Sequence, residues 1–133
     1  MSENATDRQI VKVPLGDRSY DIVIGKGLVT DSGAEIARRL EGIRCAVITD
    51  ENVANAHLPA LLDSLKSAGI EAHPLVLTPG EKTKSFDQLM VVVDHVLTCR
   101  LERGDAVLAL GGGVIGDLSG FAAGIVRRGM RFI

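Results

Sequence analysis

The run Val107-Leu-Ala-Leu-Gly-Gly-Gly-Val-Ile-Gly-Asp117 decides the fold of this chain. An apolar strand pattern stops at three glycines, and a helical pattern that carries a carboxylate begins directly after them. Glycines let the backbone approach an anion closely, and the first turn of a helix directs unpaired N–H groups and the positive end of its dipole to the same place. Gly111, Gly113 and Gly116 also fit the dinucleotide pattern G-x-G-x-x-G. The stretch therefore predicts a nucleotide phosphate site.

The glycines alone leave a second interpretation open. The usual dinucleotide fingerprint lies in the first strand-to-helix turn of its unit, and an acidic residue about 20 positions later binds the ribose. Here the glycines follow a later strand, and the sequence ends before such an acid could appear. Three glycines can also serve only a tight turn between strand and helix. The choice depends on the residues at the neighbouring strand ends.

Strand and helix patterns alternate along the rest of the chain. Apolar runs at 10–13 and 20–24 flank a turn-forming cluster and predict a β-hairpin. Runs at 44–50, 71–77 and 106–110 then alternate with helical patterns at 32–40, 58–68, 85–97 and 114–126. This order predicts an α/β fold with a Rossmann-like parallel sheet flanked by helices on both faces. Pro74 indicates an edge position or a late start for its strand, and Arg131-Phe-Ile133 indicates the start of another strand.

Three helical details follow from spacing. Ser32 with Glu35, and Ser85 with Gln88, have capping-box spacing and predict helix starts at the two serines. Glycines at intervals of four remove the side chains from one stripe of the last helix, which predicts close packing on the sheet or against another subunit. The glycines of this stripe are Gly116, Gly120 and Gly124. The apolar face of the helix after Ser85 is predicted to comprise Phe86, Leu89, Met90, Val93, Val96 and Leu97.

Composition excludes several classes of protein. The 133 residues suit one domain, and 46% hydrophobic with 24% charged residues is a globular composition. A net charge of −2 and 3% aromatic residues argue against a nucleic-acid partner. No apolar run reaches the roughly 18 residues of a membrane span, and the polar start at 1–9 does not resemble a signal peptide. Cys45 and Cys99 lack CxxC spacing, so we expect core thiols in a reducing, cytoplasmic compartment.

Polar residues follow three successive strands of the predicted sheet. They are Asp50-Glu51-Asn52, Pro79-Gly-Glu-Lys-Thr-Lys84 and Gly111 to Asp117. Carboxylates here can accept hydrogen bonds from ribose hydroxyls, and Lys84 can meet a phosphate or an acidic substrate. Each segment alone fits a solvated loop, and Asn52 alone fits an N-cap. Together, at the edge where such sheets bind ligands, they favour a nucleotide site.

Two other sets of residues are less informative. His57, His73 and His95 lie on separate elements without metal-ligand spacing, so no metal site is predicted from them. Arg127, Arg128 and Arg131 fit an anion clamp and, equally well, basic residues that complement the end of a helix dipole.

With these residues identified, the sequence resembles the N-terminal domain of the 3-dehydroquinate synthases, a family of sugar phosphate cyclases. Five segments match in order and spacing, which is far more specific than one glycine motif. They are Val13–Tyr20 with Ile24-Gly25, Thr49–Val53, Pro79–Ser85, Gly111–Leu118 with Gly120–Ala123, and Arg128–Phe132.

The resemblance implies a cofactor, NAD, and a role for each matching residue. Asp50 and Asn52 would lie at the adenosine end, with Glu81 and Lys84 as neighbours of ribose and phosphate. Asp117 would lie near the nicotinamide ribose, and the glycine turn would hold the pyrophosphate through Gly112, Gly113, Val114 and Gly116. Arg128 and Lys84 would bind the substrate, with Arg128 reaching its phosphate from the adjoining subunit of a homodimer.

The family converts the seven-carbon sugar acid phosphate DAHP to 3-dehydroquinate and releases phosphate, using NAD that is reduced and reoxidised within one turnover. Its divalent metal, zinc or cobalt, is held in a C-terminal helical domain that this sequence lacks. We therefore expect residues 1–133 to be a truncated NAD-binding domain without catalytic or metal-binding residues and without turnover of its own. Three alternatives stay open: another sugar phosphate cyclase, a metal-dependent glycerol or polyol dehydrogenase, and a cofactor-free module in which the glycines only pack.

Overall fold

The structure is a computed structural model that describes residues 8–133. It begins with the predicted hairpin, in which β1 (Gln9–Val13) pairs antiparallel with β2 (Tyr20–Ile24) through a short 3-10 turn at Gly16–Arg18. The hairpin forms a two-stranded sheet of its own. Most of the polar segment predicted at 1–9 lies outside the described residues.

A four-stranded parallel sheet forms the centre of the fold. Its strands are β3 (Arg44–Asp50), β4 (Glu71–Leu77), β5 (Ala106–Leu110) and β6 (Arg131–Phe132), in the order β4-β3-β5-β6. Asp50 lies opposite Leu77 of β4, and Thr49 lies opposite Leu110 of β5. The strands β3, β4 and β5 therefore end at one edge, which brings the three segments that follow them side by side.

Helices cover both faces of this sheet, as predicted. α1 (Leu28–Arg39) and α2 (Glu51–Ser67) lie on one face, and α3 (Phe86–Thr98) and α4 (Gly113–Ile125) lie on the other. Successive side chains of a strand point to opposite faces, so β3 contributes to two separate cores. Cys45 and Val47 pack with Ile36, Leu61 and Leu65, whereas Ala46 and Ile48 pack with Leu89, Val92, Val96, Ile115, Leu118 and Ala122. The α/β Rossmann-like class is confirmed.

The predicted start of the first helix at Ser32 is wrong. α1 begins one turn earlier, at Leu28, because Gly27 adopts a left-handed conformation with φ of +72° that turns the chain out of the hairpin. Ser32 lies inside the helix and donates its hydroxyl to the Val29 carbonyl at 2.6 Å. Glu35, the expected partner of the cap, instead pairs with the arginines at 38 and 39.

The helix after Ser85 begins where predicted, but its buried face differs. The Ser85 hydroxyl accepts a hydrogen bond from the Gln88 amide at 3.3 Å, as an N-cap should. The side chains of Phe86, Met90 and Leu97 are exposed, and Phe86 is 83% exposed. The helix is apolar on more than one face: Leu89, Val92 and Val96 are buried in the core, and Val93 packs against it partly buried.

Several smaller predictions also have outcomes. Pro74 does lie in an edge strand, and the residues from Arg131 do pair with β5. Close packing of the α4 glycine stripe on the sheet is found at Gly120 alone, where a Cβ atom would meet the Phe132 ring of β6 at 3.4 Å, whereas Cβ atoms at Gly116 and Gly124 would meet nothing within 4 Å. Within residues 8–133, no helix is long and apolar enough to cross a membrane.

Both cysteines are free thiols: Cys45 is buried in the core as expected, and Cys99 packs against the core only partly buried. Cys45 is 1% exposed in the sheet, and burial together with the charge of Asp105 raises its pKa to about 12. Cys99 is half-buried at the end of α3. Burial, and to a smaller extent the charge of Glu71, raises its pKa. Neither thiol is activated as a nucleophile, because a raised pKa keeps the thiol protonated at neutral pH.

Candidate nucleotide-binding site

The first part of the site is the junction between β3 and α2. Asp50 is the last residue of β3 and also caps α2, since its Oδ1 atom accepts a hydrogen bond from the Val53 amide at 2.9 Å. The predicted loop at 50–52 is therefore the first turn of α2, and the cap is Asp50 rather than Asn52. Asn52 lies exposed in that turn. Both side chains stand at the sheet edge where parallel strands present ligands.

The second part is the glycine turn between β5 and α4. Gly112 is the N-cap residue of α4, in an extended conformation, and no side chain from the described part of the chain caps this helix. The first intrahelical hydrogen bond runs from the Gly116 amide to the Gly112 carbonyl at 2.9 Å. The amides of Gly113, Val114 and Ile115 precede it and have no partner within the helix. They form a set of backbone donors at the positive end of the helix dipole.

The glycines of this turn serve different purposes. A Cβ atom at Gly111 would lie 2.9 Å from the Ile115 side chain, so close packing requires glycine there. Cβ atoms at Gly112, Gly113 and Gly116 would meet no protein atom within 4 Å. None of the four has the positive φ that only glycine adopts readily. Packing in a tight turn therefore explains why residue 111 is glycine. It does not explain Gly112, Gly113 and Gly116, which have open space beside them.

The third part is the segment after β4, which reaches across to α4. Glu81–Thr83 forms a short 3-10 turn, and the next residue, Lys84, makes an ion pair with Asp117 at 2.9 Å between Nζ and Oδ2. The hydrogen bond to Asp117 and its charge, with a further contribution from Glu81, raise the pKa of Lys84. Both partners are largely exposed, so water screens the attraction, and a ligand can approach either side chain.

A groove runs beside this ion pair between α3 and α4. It encloses about 360 Å³ and is lined by Lys84, Ser85, Phe86, Leu89, Asp117, Leu118 and Phe121. The two phenylalanines are exposed, which leaves an apolar wall next to a charged pair. Sequence reasoning placed Lys84 and Asp117 at one edge but missed both their pairing and this wall. The available signal is Phe86 itself, an aromatic residue in the first turn of α3, which the apolar pattern of that helix assigns to the buried face.

Arg128 lies away from these groups. It follows the C-terminal end of α4, and a helix of 13 residues spans about 20 Å. The segment has a left-handed backbone at Arg127, Arg128 and Gly129, and the Arg127 Nε atom donates to the Leu101 carbonyl at 3.0 Å. One nitrogen of the Arg127 guanidinium is thus bonded to the Leu101 carbonyl rather than to a carbonyl of α4. A single chain does not bring Arg128 together with Lys84.

The histidines make hydrogen bonds of ordinary structural kinds. A ring nitrogen of His95 contacts the His73 carbonyl at 2.9 Å, and His73 contacts the Glu71 carboxylate. Among the residues that the structure describes, no group of three or more histidine, cysteine, aspartate and glutamate side chains is arranged to hold a metal ion.

The fold defined by these elements is that of the sugar phosphate cyclases, and it is similar to part of a glycerol dehydrogenase. The chain superposes on 2-deoxy-scyllo-inosose synthase with a TM-score of 0.81 and 22% identity, over 93% of this chain and 35% of the other. For 2-epi-5-epi-valiolone synthase from Streptomyces hygroscopicus subsp. jinggangensis, the TM-score is 0.73 and the identity 29%, over 90% and 33%. Glycerol dehydrogenase from Schizosaccharomyces pombe gives 0.59 and 20%, over 72% and 23%.

Sequence comparison identifies the particular family. The family model described as 3-dehydroquinate synthase N-terminal matches residues 74–133. The 3-dehydroquinate synthase of Rhizobium rhizogenes is 66% identical over 130 residues, which cover 98% of this chain and 34% of that protein. The enzyme of Brucella anthropi is 61% identical over 129 residues, covering 97% and 34%. The chain belongs to the 3-dehydroquinate synthase family, and it spans about a third of the length of these curated relatives.

Proposed function

We propose that this chain binds NAD at the carboxyl edge of its sheet and forms the NAD-binding portion of a 3-dehydroquinate synthase. The observation that carries the proposal is the open, uncapped N-terminus of α4, where Gly112 and Gly113 present backbone donors without side chains in front of them. A diphosphate fits such a site, because it needs close approach to several N–H groups and a positive dipole end.

The proposed site uses the residues predicted from the sequence. The pyrophosphate would meet the amides of Gly112, Gly113 and Val114, and Gly116 would leave room beside them. Asp50 would offer Oδ2 to the adenosine ribose, since Oδ1 already caps α2, and Asn52 would lie alongside. Glu81 and Lys84 would contact ribose and phosphate, and Asp117 would contact the nicotinamide ribose. The Lys84–Asp117 pair supports this arrangement because it joins two of the three parts of the site.

Related enzymes support the choice of cofactor. The valiolone synthase was solved with NAD⁺ and Zn²⁺ bound, and 2-deoxy-scyllo-inosose synthase was solved with carbaglucose-6-phosphate, NAD⁺ and Co²⁺. We propose that the complete protein likewise uses NAD, a divalent metal such as zinc or cobalt, and a small sugar phosphate. The described residues do not fit a metal site, so we propose that a C-terminal helical domain of the complete protein holds the metal.

The proposed reaction of the complete protein converts DAHP to 3-dehydroquinate with loss of phosphate, as a step of the shikimate pathway in the cytoplasm. NAD supplies a reversible oxidation of one substrate hydroxyl when it is bound. In this reaction the residues of the chain would bind and orient the coenzyme and the substrate. The α4 amides would fix the coenzyme, Lys84 would lie beside the substrate, and Arg128 would hold the substrate phosphate of the adjoining subunit in a homodimer. We expect no turnover from the 133 residues alone.

The alternative activities receive less support. Identities of 61–66% to 3-dehydroquinate synthases exceed the 29% to a different cyclase and the 20% to a glycerol dehydrogenase. The open glycines argue against a cofactor-free module, since packing requires glycine only at Gly111 within the turn.

The proposal is tested by calorimetric titration of NAD into the chain and into a Gly113→Ala variant. The Cβ atom of a helical residue points toward the helix N-terminus, so the added methyl group would stand where the diphosphate binds. It would meet no protein atom, and the fold should keep its stability. We expect the dissociation constant to rise about tenfold, as a steric cost of roughly 1–3 kcal/mol implies.

Gly124→Ala is the matched control, because Gly124 lies in the same helix with open space around it and far from the site. It should bind NAD like the parent chain. Equal affinity of the Gly113→Ala variant and the parent, or failure of the parent chain to bind NAD, would refute the proposed site.

A further inference from the structure

The segment from Thr78 to Ser85 contains one buried side chain among exposed neighbours. Thr83 is 4% exposed, and its hydroxyl donates a hydrogen bond to the Thr78 carbonyl. Its amide donates to the Gly80 carbonyl at 3.0 Å, and its carbonyl accepts from the Ser85 amide at 2.9 Å. Thr83 thus makes hydrogen bonds to both ends of this segment.

These hydrogen bonds hold the segment in one conformation, which its exposed side chains could not do because they make few contacts. Surface loops with few buried contacts open easily, and a side-chain bond to the backbone five residues earlier closes this one on itself. Glu81 and Lys84 lie on either side of the buried threonine and are exposed. The Lys84 amide also donates to the Glu81 carbonyl at 3.0 Å, so the two charged residues are tied to each other through the same turn.

We infer that Thr83 is a positioning residue that holds Glu81 and Lys84 in the geometry needed to receive the coenzyme. The inference rests on the proposed NAD site and assigns Thr83 no contact with the ligand. Without the hydroxyl, the Thr78 carbonyl loses its partner, the turn opens, and Lys84 no longer meets Asp117 in one defined arrangement.

Thr83→Val tests the inference, because valine keeps the branched shape and removes only the donor. We expect NAD to bind about tenfold more weakly, because the Thr78 carbonyl loses its hydrogen-bond partner and the turn no longer holds Glu81 and Lys84 in place. Thr83→Ser, which keeps the hydroxyl, should restore affinity to within about threefold of the parent. In a chain that already carries Glu81→Ala and Lys84→Ala, Thr83→Val should change NAD affinity less than about twofold, because residues that act through one another are not additive.

A second readout does not depend on NAD. Lys84 should react slowly with an amine-acylating reagent while Asp117 holds it, and Lys82 of the same turn serves as an internal control. In Thr83→Val, acylation of Lys84 should accelerate severalfold while that of Lys82 stays unchanged, as measured by mass spectrometry.

The outcomes separate the inference from the proposed function. If the parent chain does not bind NAD, the proposed function is refuted. The labelling rate of Lys84 would then still decide whether Thr83 positions Lys84. Parent-like NAD affinity or parent-like Lys84 labelling in Thr83→Val would overturn the inference. Loss of cooperative urea unfolding in Thr83→Val would show a purely structural role and would overturn it as well.

Discussion

At the scale of single residues, Asp105 shows how a carboxylate joins distant parts of the chain. Its Oδ1 atom accepts from the Arg44 amide at 2.9 Å, and its Oδ2 atom accepts from the Glu102 amide at 2.9 Å and the Arg44 guanidinium at 3.0 Å. Burial by itself raises the pKa of Asp105, but these hydrogen bonds and the Arg44 charge together lower it. Local sequence patterns do not indicate this arrangement, because the partner Arg44 lies 61 residues away.

Asp105→Asn should destabilise the chain by about 1–3 kcal/mol at pH 7, because an amide NH₂ group would face hydrogen-bond donors. A lowered folded-state pKa stabilises the fold above the unfolded value of about 3.9, and the contribution disappears as the pH falls through the folded value. Urea unfolding between pH 7 and pH 3 measures the free energy of unfolding of the variant and of the parent. The difference between variant and parent should narrow below about pH 4, and a difference that widens in acid would contradict the account.

At the scale of elements, helix positions were predictable and helix contacts were not. Apolar periodicity predicted the helices α1 to α4, but two of their starts lie upstream of the predicted patterns. α1 begins early because of the left-handed conformation of Gly27, and α2 begins at Glu51, well before the pattern at 58–68. Gly33 was not singled out at all. The structure places it against α2, where its amide donates to the Ser64 hydroxyl at 2.9 Å and a Cβ atom would lie 2.1 Å from the Ser64 carbonyl oxygen. Such close approach is a property of two helices together, which periodicity along one helix does not report.

Two alanine substitutions for helical glycines should therefore have opposite effects. Gly33→Ala should destabilise the chain by roughly 1–3 kcal/mol, because α1 and α2 must separate to admit the methyl group. Gly124→Ala should stabilise it by about 0.5–1 kcal/mol, since alanine favours the helix and meets nothing there. Urea unfolding of both variants measures the contrast. A Gly33→Ala chain as stable as its parent would show that the two helices are not packed this closely.

The candidate site, like the helices, was predictable from local sequence signals but not in its contacts between segments. Asp50 and the glycine turn were recognisable because strand ends and glycines are local signals. The Lys84–Asp117 pair and the buried Thr83 were not, because they depend on how the segment after β4 folds back toward α4.

At the scale of the whole molecule, parallel topology determines which residues can act together. The register of β3, β4 and β5 brings three segments to one edge, so Asp50, Lys84 and the glycine turn gather there although they are far apart in sequence. The same topology places Arg128 at the far end of α4, which is why we propose that it contacts the substrate from a second subunit. The sequence predicts the order of the elements. Only the assembled sheet shows that Asp50, Lys84 and the glycine turn lie together and that Arg128 lies apart from them.

The central claim is that the amides at the start of α4 hold the diphosphate of NAD, and amide NMR spectra recorded during a titration with NAD test it most directly. The account predicts saturable shifts of the Gly112, Gly113 and Val114 signals, with the signals of Arg127 to Gly129 at the opposite end of α4 unchanged. Saturable binding that leaves the Gly112 to Val114 signals in place, or spectra that NAD does not alter, would contradict it.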